Sequence, residues 1–408
     1  MFDVKRIRED FPLLKTKMQG HPLIYFDNGA TSLKPQVVIQ AINDYYTKLG
    51  SNSHRADYDL SYYTSEAIEA TRKEVASFIN ARPEEIIFTS GTTAAINGLA
   101  IMLKKFLKKG DEIILSYHEH AANTLPWFAL QQELGLVIKY VELTKNGEIT
   151  TDNLRRLITK QTRIISLALI SNVMGVVSKP QKISNLIKDQ NIIYIIDAAQ
   201  AAPHEKIDVK AFDCDFLVFS AHKMLGPTGV GVLYGKMEQL ESLDPYLYGG
   251  SMNDKYDKTG KMSYLNVPTK FEAGTPNISN IIAFKAAIMY LKSIGMEQIR
   301  EHELMLREYV IQQLIKEVPK IIIYNKEIES NTVIFNIDGV FAQDVATYLN
   351  SYGIAIRSGE HCAKLLHYYL GVGSTLRLSF YLYNTKEEVD VLVAALKAGG
   401  DFLDGFFK

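Results

Sequence analysis

Short apolar, β-branched runs recur along the first half of the chain, at 85–89, 112–116, 137–141, 163–169, 192–196, 216–220 and 230–234. Several are apolar throughout rather than alternating, the pattern of strands buried on both faces. Stretches with helical spacing, such as 65–79 and 93–108, lie between them. Strands alternating with helices build βαβ units. The predicted fold is therefore α/β, a mostly parallel seven-stranded sheet with helices on both faces. From about residue 286 the texture changes: a long helical pattern over 286–318, strand character at 332–337, a helix from Ala342, a strand at 375–380 and a closing helix over 386–403. This predicts a smaller α+β C-terminal domain. The expected organisation is an N-terminal segment, 1–21, packing on the small domain; a large domain, 22–285; and the small domain, 286–408. The 246–269 stretch, rich in Gly, Asp, Lys and Tyr, reads as a mobile loop region.

Composition narrows the function classes. Among 408 residues, 45 Lys+Arg face 46 Asp+Glu, giving a net charge of −1. That balance speaks against nucleic acid or an anionic membrane as partner, since both select a basic bias. No run approaches the ~18 apolar residues of a membrane helix, and the N-terminus mixes acids and bases where a signal peptide would need an apolar core. The two cysteines, Cys214 and Cys362, exclude a disulfide scaffold and fit a reducing, cytoplasmic setting. No metal site is expected. His118-Glu-His120 lacks the helical spacing of a metal box, and Gly229-Val-Gly231 lacks the Lys-Ser/Thr of a phosphate loop.

In a mostly parallel sheet, ligands sit beyond the carboxyl ends of the strands, so the chemistry is sought there. The run 192–196 leads into Asp197 and then Gln200; the run 216–219 leads into Ser220-Ala-His222-Lys223. A lysine can form a Schiff base with an aldehyde, and a carboxylate can hold a pyridinium nitrogen protonated. A plain Asp–Lys ion pair is the simpler alternative. A third strand end, 85–89, opens into Ser90-Gly91-Thr92-Thr93 at a helix start. It offers free N–H groups to a phosphate, or merely an ordinary helix cap. Phosphate cradle, Asp and Lys together describe a site for pyridoxal 5'-phosphate.

Phe219-Ser-Ala-His-Lys223-Met-Leu-Gly-Pro-Thr-Gly resembles the cofactor-lysine motif of fold-type-I pyridoxal-phosphate enzymes of the class V aminotransferase branch. The closer resemblance is to SUF-type (group II) cysteine desulfurases and their selenocysteine lyase relatives. It runs from Tyr25-Phe-Asp-Asn-Gly-Ala-Thr to Tyr383-Asn-Thr-Lys-Glu-Glu. Between them lie His54-Arg55, Gly91-Thr-Thr, Glu119-His120, Ser171-Asn172-Val173, Phe271-Glu-Ala-Gly-Thr-Pro-Asn277 and Arg357-Ser-Gly-Glu-His361-Cys362-Ala. The resemblance implies that Lys223 carries the cofactor, Asp197 pairs with its ring nitrogen, His120 stacks on the ring and Gln200 meets its phenolic oxygen. Thr92, Thr93, Ser220 and His222 would hold the phosphate, with Thr275 reaching it from a neighbouring subunit of a homodimer. Asn172 and Arg377 would orient the substrate, Arg377 gripping its carboxylate bidentately. Cys362, on a loop of the small domain, would be the nucleophile. Arg357 and His361 are the candidates to favour its thiolate, the reactive form. Cys214, between two aspartates entering an apolar strand, reads as inert packing.

The implied activity is conversion of L-cysteine to L-alanine with a persulfide on Cys362, passed to a SufE- or SufU-like sulfur acceptor protein for iron–sulfur cluster assembly. Alternatives are a selenocysteine lyase acting on L-selenocysteine, and a cofactor-bearing scaffold or sulfur-relay subunit with little turnover. Four positions depart from the family pattern. Glu360 stands where a histidine precedes His361, and a carboxylate there would disfavour the thiolate. Ala121 follows the stacking His120 in place of a second histidine. Ala94 replaces the acid after Gly-Thr-Thr. Gln343 stands where relatives served by a zinc-bearing acceptor carry a histidine. The aromatic segment 402–407 reads as core or dimer packing.

Overall fold

The computed structural model describes residues 2–53 and 57–399; His54-Arg55 and the aromatic segment 402–407 lie outside the described residues. Seven strands form the principal sheet: β1 (Ile86–Thr89), β2 (Glu112–Ser116), β3 (Val137–Val141), β4 (Thr162–Ala168), β5 (Ile193–Asp197), β6 (Phe216–Ser220) and β7 (Gly231–Gly235). Each lies within a residue or so of the apolar run that predicts it. Their order is β1-β7-β6-β5-β4-β2-β3, and only β7 runs antiparallel to its neighbours. The uninterrupted apolar runs have a direct cause. Alternate residues of one strand enter two different cores. Ile165, Tyr194, Ile196, Leu217 and Phe219 pack on one face, while Ile164, Ile195, Phe216 and Val218 pack on the other. Helices α1 (Asp59–Ile79) and α3 (Ile278–Ile294) cover the first face, and α2 (Thr92–Leu103) the second.

A second, antiparallel sheet follows, made of β8 (Ile321–Ile323), β9 (Thr332–Ile337), β10 (Arg357–Gly359) and β11 (Thr375–Ser379) in the order β8-β9-β11-β10. It has its own core, with Val310 and Leu314 of α4 (Met296–Glu317) and Leu392 and Leu396 of the final helix, Lys386–Ala398. The N-terminal segment reaches this part of the chain: Arg8 binds Glu388 at 2.7 Å, and Phe11 packs on Tyr383 with centroids 4.7 Å apart. Ile24–Tyr25 then pairs in parallel with Ile354–Ala355.

Two expectations are corrected. The single helix over 286–318 is two, α3 and α4, meeting at 74°. The break falls at Gly295, whose φ of 95° is a left-handed conformation that glycine alone adopts without strain. The 246–269 stretch is ordered in part as a hairpin of Asn253–Tyr256 with Met262–Tyr264, its polar faces exposed. The closing segment, 386–403, is helical for most of its length as expected, over Lys386–Ala398. Among the described residues, no single helix is long and apolar enough to cross a membrane.

Candidate active site

The strand ends converge. β5 and β6 are neighbours in parallel register, Asp197 opposite Val218, so the segments that follow them bring Asp197 and Lys223 to one cavity of about 240 Å³. The antiparallel β7 supplies the third side. Gly231 pairs with Thr89 on one flank and with Ser220 on the other, drawing the N-terminus of α2 beside Ser220. The fit is close: a Cβ on Gly231 would lie 2.5 Å from Gly91 Cα. Thr92 N donates to Ser220 Oγ at 2.8 Å, and the two hydroxyls are 2.7 Å apart. The cavity is lined at this end by Thr92, Thr93, Ser220 and His222, and elsewhere by His120, Gln200, Asn172, Arg357, His361, Cys362 and Arg377. Of the site residues expected from sequence, only Thr275 lies elsewhere. It borders an outer groove with Ala94, Gly98 and Leu247 and accepts a 3.3 Å hydrogen bond from Asn52 Nδ2.

Burial sets the protonation states. Lys223 is pushed down to about 8, chiefly by desolvation, with Asp197 opposing and Arg377 and Arg357 reinforcing the shift. Desolvation raises Asp197, countered by the Ala199 N–H at 2.9 Å and by Lys223. His120 is lowered to about 4 by burial and then by Lys223 and the two arginines, so its ring is neutral. Its Nδ1 accepts from Ala122 N at 3.0 Å, which leaves the proton on Nε2.

At the other end, Arg377 is fully enclosed, so it is no surface ion pair. Asp27 Oδ1 accepts from its NH2 at 3.1 Å and the Asn172 carbonyl from its NH1 at 2.9 Å. Gly29 lies flat against the guanidinium, where a Cβ would come within 2.9 Å of Cζ. Arg377 Nε, Asn172 Oδ1 and His361 Nδ1 are buried and have no hydrogen-bond partner. Buried polar atoms are rarely left unpaired; these three line one cavity and suit a small zwitterion. The donor set also fits a pyridine ring with a phosphate: a carboxylate for the ring nitrogen, an amine for an aldehyde, and a helix N-terminus with three hydroxyls for the anion.

Cys362 sits at the rim, exposed. Both His361 and Cys362 adopt left-handed backbone, φ 51° and 56°, which costs a non-glycine residue about 1 kcal/mol or more. The conformation is enforced from two sides. Asn172 Nδ2 donates to the His361 carbonyl and Ala121 N to the Cys362 carbonyl, both at 2.8 Å. His361 is driven to about 2 by burial and then by Arg377, so it is a neutral ring that can act beside the thiol as a base and not as a cation. Arg357, 3.6 Å from Asp27, is the charge that remains. Glu360 is exposed and outside the cavity lining, where solvent screens it. Gln343 lies exposed in the first turn of Ala342–Ser351. Cys214 is fully buried, its thiol pushed far up by desolvation and by Asp215.

Three further residues, absent from the expected site, support it. Asp27 and Gly29 follow the short apolar run 23–26, whose two-residue strand Ile24–Tyr25 pairs with Ile354–Ala355 outside the principal sheet. Glu119 lies behind His120, fully buried, accepting from Ser116 Oγ, Asn123 Nδ2 and Ala168 N at 2.5, 2.7 and 2.9 Å. A carboxylate one residue from a site histidine was the signal for it.

Residues 24–392 match the model of the aminotransferase class-V family. The chain belongs to that family. Among class-V relatives, it is 41% identical over 406 residues to a probable cysteine desulfurase of Halalkalibacterium halodurans, covering 98% of this chain and 99% of the relative. It is equally identical over 408 residues to one of Staphylococcus epidermidis, covering 98% of each. Solved structures agree. The apo cysteine desulfurase of Thermococcus onnurineus superposes with a TM-score of 0.91 at 35% identity, covering 96% of this chain and 97% of that one. The cysteine desulfurase CsdA of Escherichia coli gives 0.90 at 36%, covering 97% and 98%.

Proposed function

We propose that this class-V protein is a pyridoxal 5'-phosphate-dependent cysteine desulfurase that converts L-cysteine to L-alanine, leaves a persulfide on Cys362 and supplies sulfur for iron–sulfur cluster assembly. The observation that carries this reading is a nucleophilic cysteine at the rim of a cavity whose far wall holds Asp197 and Lys223. When bound, the cofactor supplies an electron-withdrawing ring conjugated with the substrate's Cα. Lys223 would hold it, with Asp197 at the ring nitrogen, His120 on its face, Gln200 at the phenolic oxygen and Thr92, Thr93, Ser220 and His222 around the phosphate. Arg377 receives the substrate carboxylate through its unpaired Nε and the adjacent NH2 edge, and Asn172 Oδ1 takes an N–H. Lys223, lowered to about 8, is poised to move the Cα proton near neutral pH. Cys362 Sγ attacks the substrate sulfur: the Cβ–S bond breaks, an S–S bond forms, and Cβ takes up a proton to become the methyl of alanine. The persulfide then lies at the rim, open to a SufE- or SufU-like acceptor. A cytoplasmic setting, where an exposed thiol stays reduced, and a homodimer complete the reading.

Purified protein given L-cysteine should form alanine, with one added sulfur on Cys362 by mass spectrometry. Cys362→Ala should form almost none. Alanine production unaffected by that substitution would exclude the mechanism, and a far higher rate with L-selenocysteine would reassign the enzyme as a lyase.

A further inference from the structure

Behind the cavity wall, four donors converge on a single carbonyl. The His222 oxygen, which belongs to the peptide leading into Lys223, lies 2.8 Å from Lys34 Nζ, 3.0 Å from Thr31 Oγ1, and 3.1 Å from both Ser32 Oγ and Ser32 N. A carbonyl oxygen has two lone pairs, so four donors exceed its capacity. Ser32 N–H is fixed by the main chain, and the Lys34 bond is the shortest and charge-assisted. Ser32 Oγ accepts from Leu225 N at 2.8 Å, and its own proton has His222 O as its acceptor. Lys34 carries three N–H donors and reaches Ser32 O and Thr31 Oγ1 as well as this carbonyl, so it need not give the carbonyl up. The Thr31 hydroxyl, with a single proton, has another acceptor within reach, His222 Nδ1 at 3.2 Å.

That choice matters for the cavity. His222 is neutral, lowered to about 4 by burial and by Lys223 and Lys34. If Thr31 donates to Nδ1, the ring proton resides on Nε2. That atom has no partner among the described residues, and its ring lines the cavity beside Thr92, Thr93 and Ser220. Lys34 itself is half-buried, with only oxygen dipoles as hydrogen-bond partners: Ser32 O at 2.5 Å, His222 O, and Thr31 Oγ1 at 3.4 Å. Desolvation pushes it down to about 7, with no opposing carboxylate. Burying an unpaired cation is costly, which the fold alone gives no reason to retain.

We propose that Lys34 is a positioning residue for the cofactor. It anchors the His222–Lys223 peptide and so releases the Thr31 hydroxyl to hold His222 in the tautomer that aims an N–H at the phosphate. The inference rests on the cofactor assignment above and concerns residues that never touch the cofactor themselves.

The test is cofactor affinity across a mutant cycle. Lys34→Met and Thr31→Val should each raise the dissociation constant for pyridoxal 5'-phosphate about tenfold, and should weaken phosphate-free pyridoxal much less. Because Lys34 acts through Thr31, the double variant should be no worse than either single one, and Lys34→Arg should restore most of the affinity. Unchanged affinity in Lys34→Met overturns the proposal. So do losses that multiply to about a hundredfold in the double variant, because independent sites add in free energy. Should Lys34→Met not fold, nitrogen NMR of histidine-labelled wild-type protein, with His222 assigned by its loss in His222→Gln, still decides. A proton on Nε2 supports the proposal and one on Nδ1 overturns it. A wild-type chain that takes up no pyridoxal 5'-phosphate would instead remove the assignment on which the inference rests.

Discussion

At the scale of single residues, the carboxylate grip is the most closely determined feature of the site. Arg377 cannot retreat: Asp27 and the Asn172 carbonyl hold it from two directions, and Gly29 forms the floor beneath it. Gly29 has no left-handed φ to excuse it; it is a glycine because a Cβ would stand 2.9 Å from the guanidinium carbon. Gly29→Ala should therefore tilt Arg377 while leaving the cofactor end intact. The expected outcome is a KM for L-cysteine raised about tenfold, with kcat changed far less and an unaltered cofactor absorbance. An unchanged KM would mean that Arg377 does not carry the carboxylate. The same residues couple substrate to nucleophile. Asn172 touches Arg377 through its carbonyl and the His361 carbonyl through its amide, so the grip and the Cys362 loop share one support.

At the scale of elements, Glu119 staples the ends of β2 and β4. Its oxygens accept from Ser116 at one strand end and Ala168 at the other, while Asn123, itself bonded to Ser166 Oγ at 2.6 Å, fills the space between. Desolvation raises Glu119 to about 7. The folded chain thus keeps a proton that the unfolded chain loses near pH 4 to 5. The stability this contributes is present in full below that range and is lost as pH rises through about 7. Between pH 5 and pH 8, the melting temperature of the wild type should fall relative to that of Glu119→Gln, whose amide cannot ionise. The difference is on the order of 1–3 kcal/mol, measured by calorimetry at each pH. Parallel slopes for the two proteins would place the proton elsewhere. Element identity was legible in the sequence wherever a strand is buried on both faces, because β1, β2, β5, β6 and β7 then read as near-continuous apolar runs, whereas the edge strand β3 carries Lys139 and is largely uncovered. The joint at Gly295 was not, since α3 and α4 continue one helical texture across a single residue whose conformation, not its hydropathy, ends the helix. The hairpin at 253–264 was hidden for the opposite reason: exposed on both faces, it leaves no alternation to detect. The chemistry at the ends of the principal sheet's strands was legible because an apolar run points at it, whereas Asp27, Gly29 and Lys34 follow the short run 23–26, whose strand lies outside that sheet.

At the scale of the whole molecule, two sheets meet at the site. The large sheet contributes Lys223, Asp197 and the phosphate cradle, and the small sheet contributes Arg377 and the Cys362 loop. Thr275, which the family resemblance assigns to the phosphate of a neighbouring subunit, faces an outer groove instead. That groove adjoins a surface that a monomer has no reason to keep. Tyr46, Tyr62 and Tyr63 are each more than half exposed, with Leu60 and Tyr58 beside them in sequence, and Ile101 and Leu247 exposed in the groove. Asn52 and Tyr46 join the two regions through hydrogen bonds to Thr275 and Ser279. Contiguous apolar surface of this kind marks an association face, and a two-fold dimer places the same patch on both partners. Replacing Tyr62 and Tyr63 together by Glu puts charge into that face without touching either core. The doubly substituted protein should sediment as a monomer at micromolar concentration, where the wild type sediments as a dimer. Under the role that the resemblance assigns to Thr275, it should also release pyridoxal 5'-phosphate faster. A variant that becomes monomeric yet retains cofactor as the wild type does would separate assembly from the site, and one that remains dimeric would move the interface to another face.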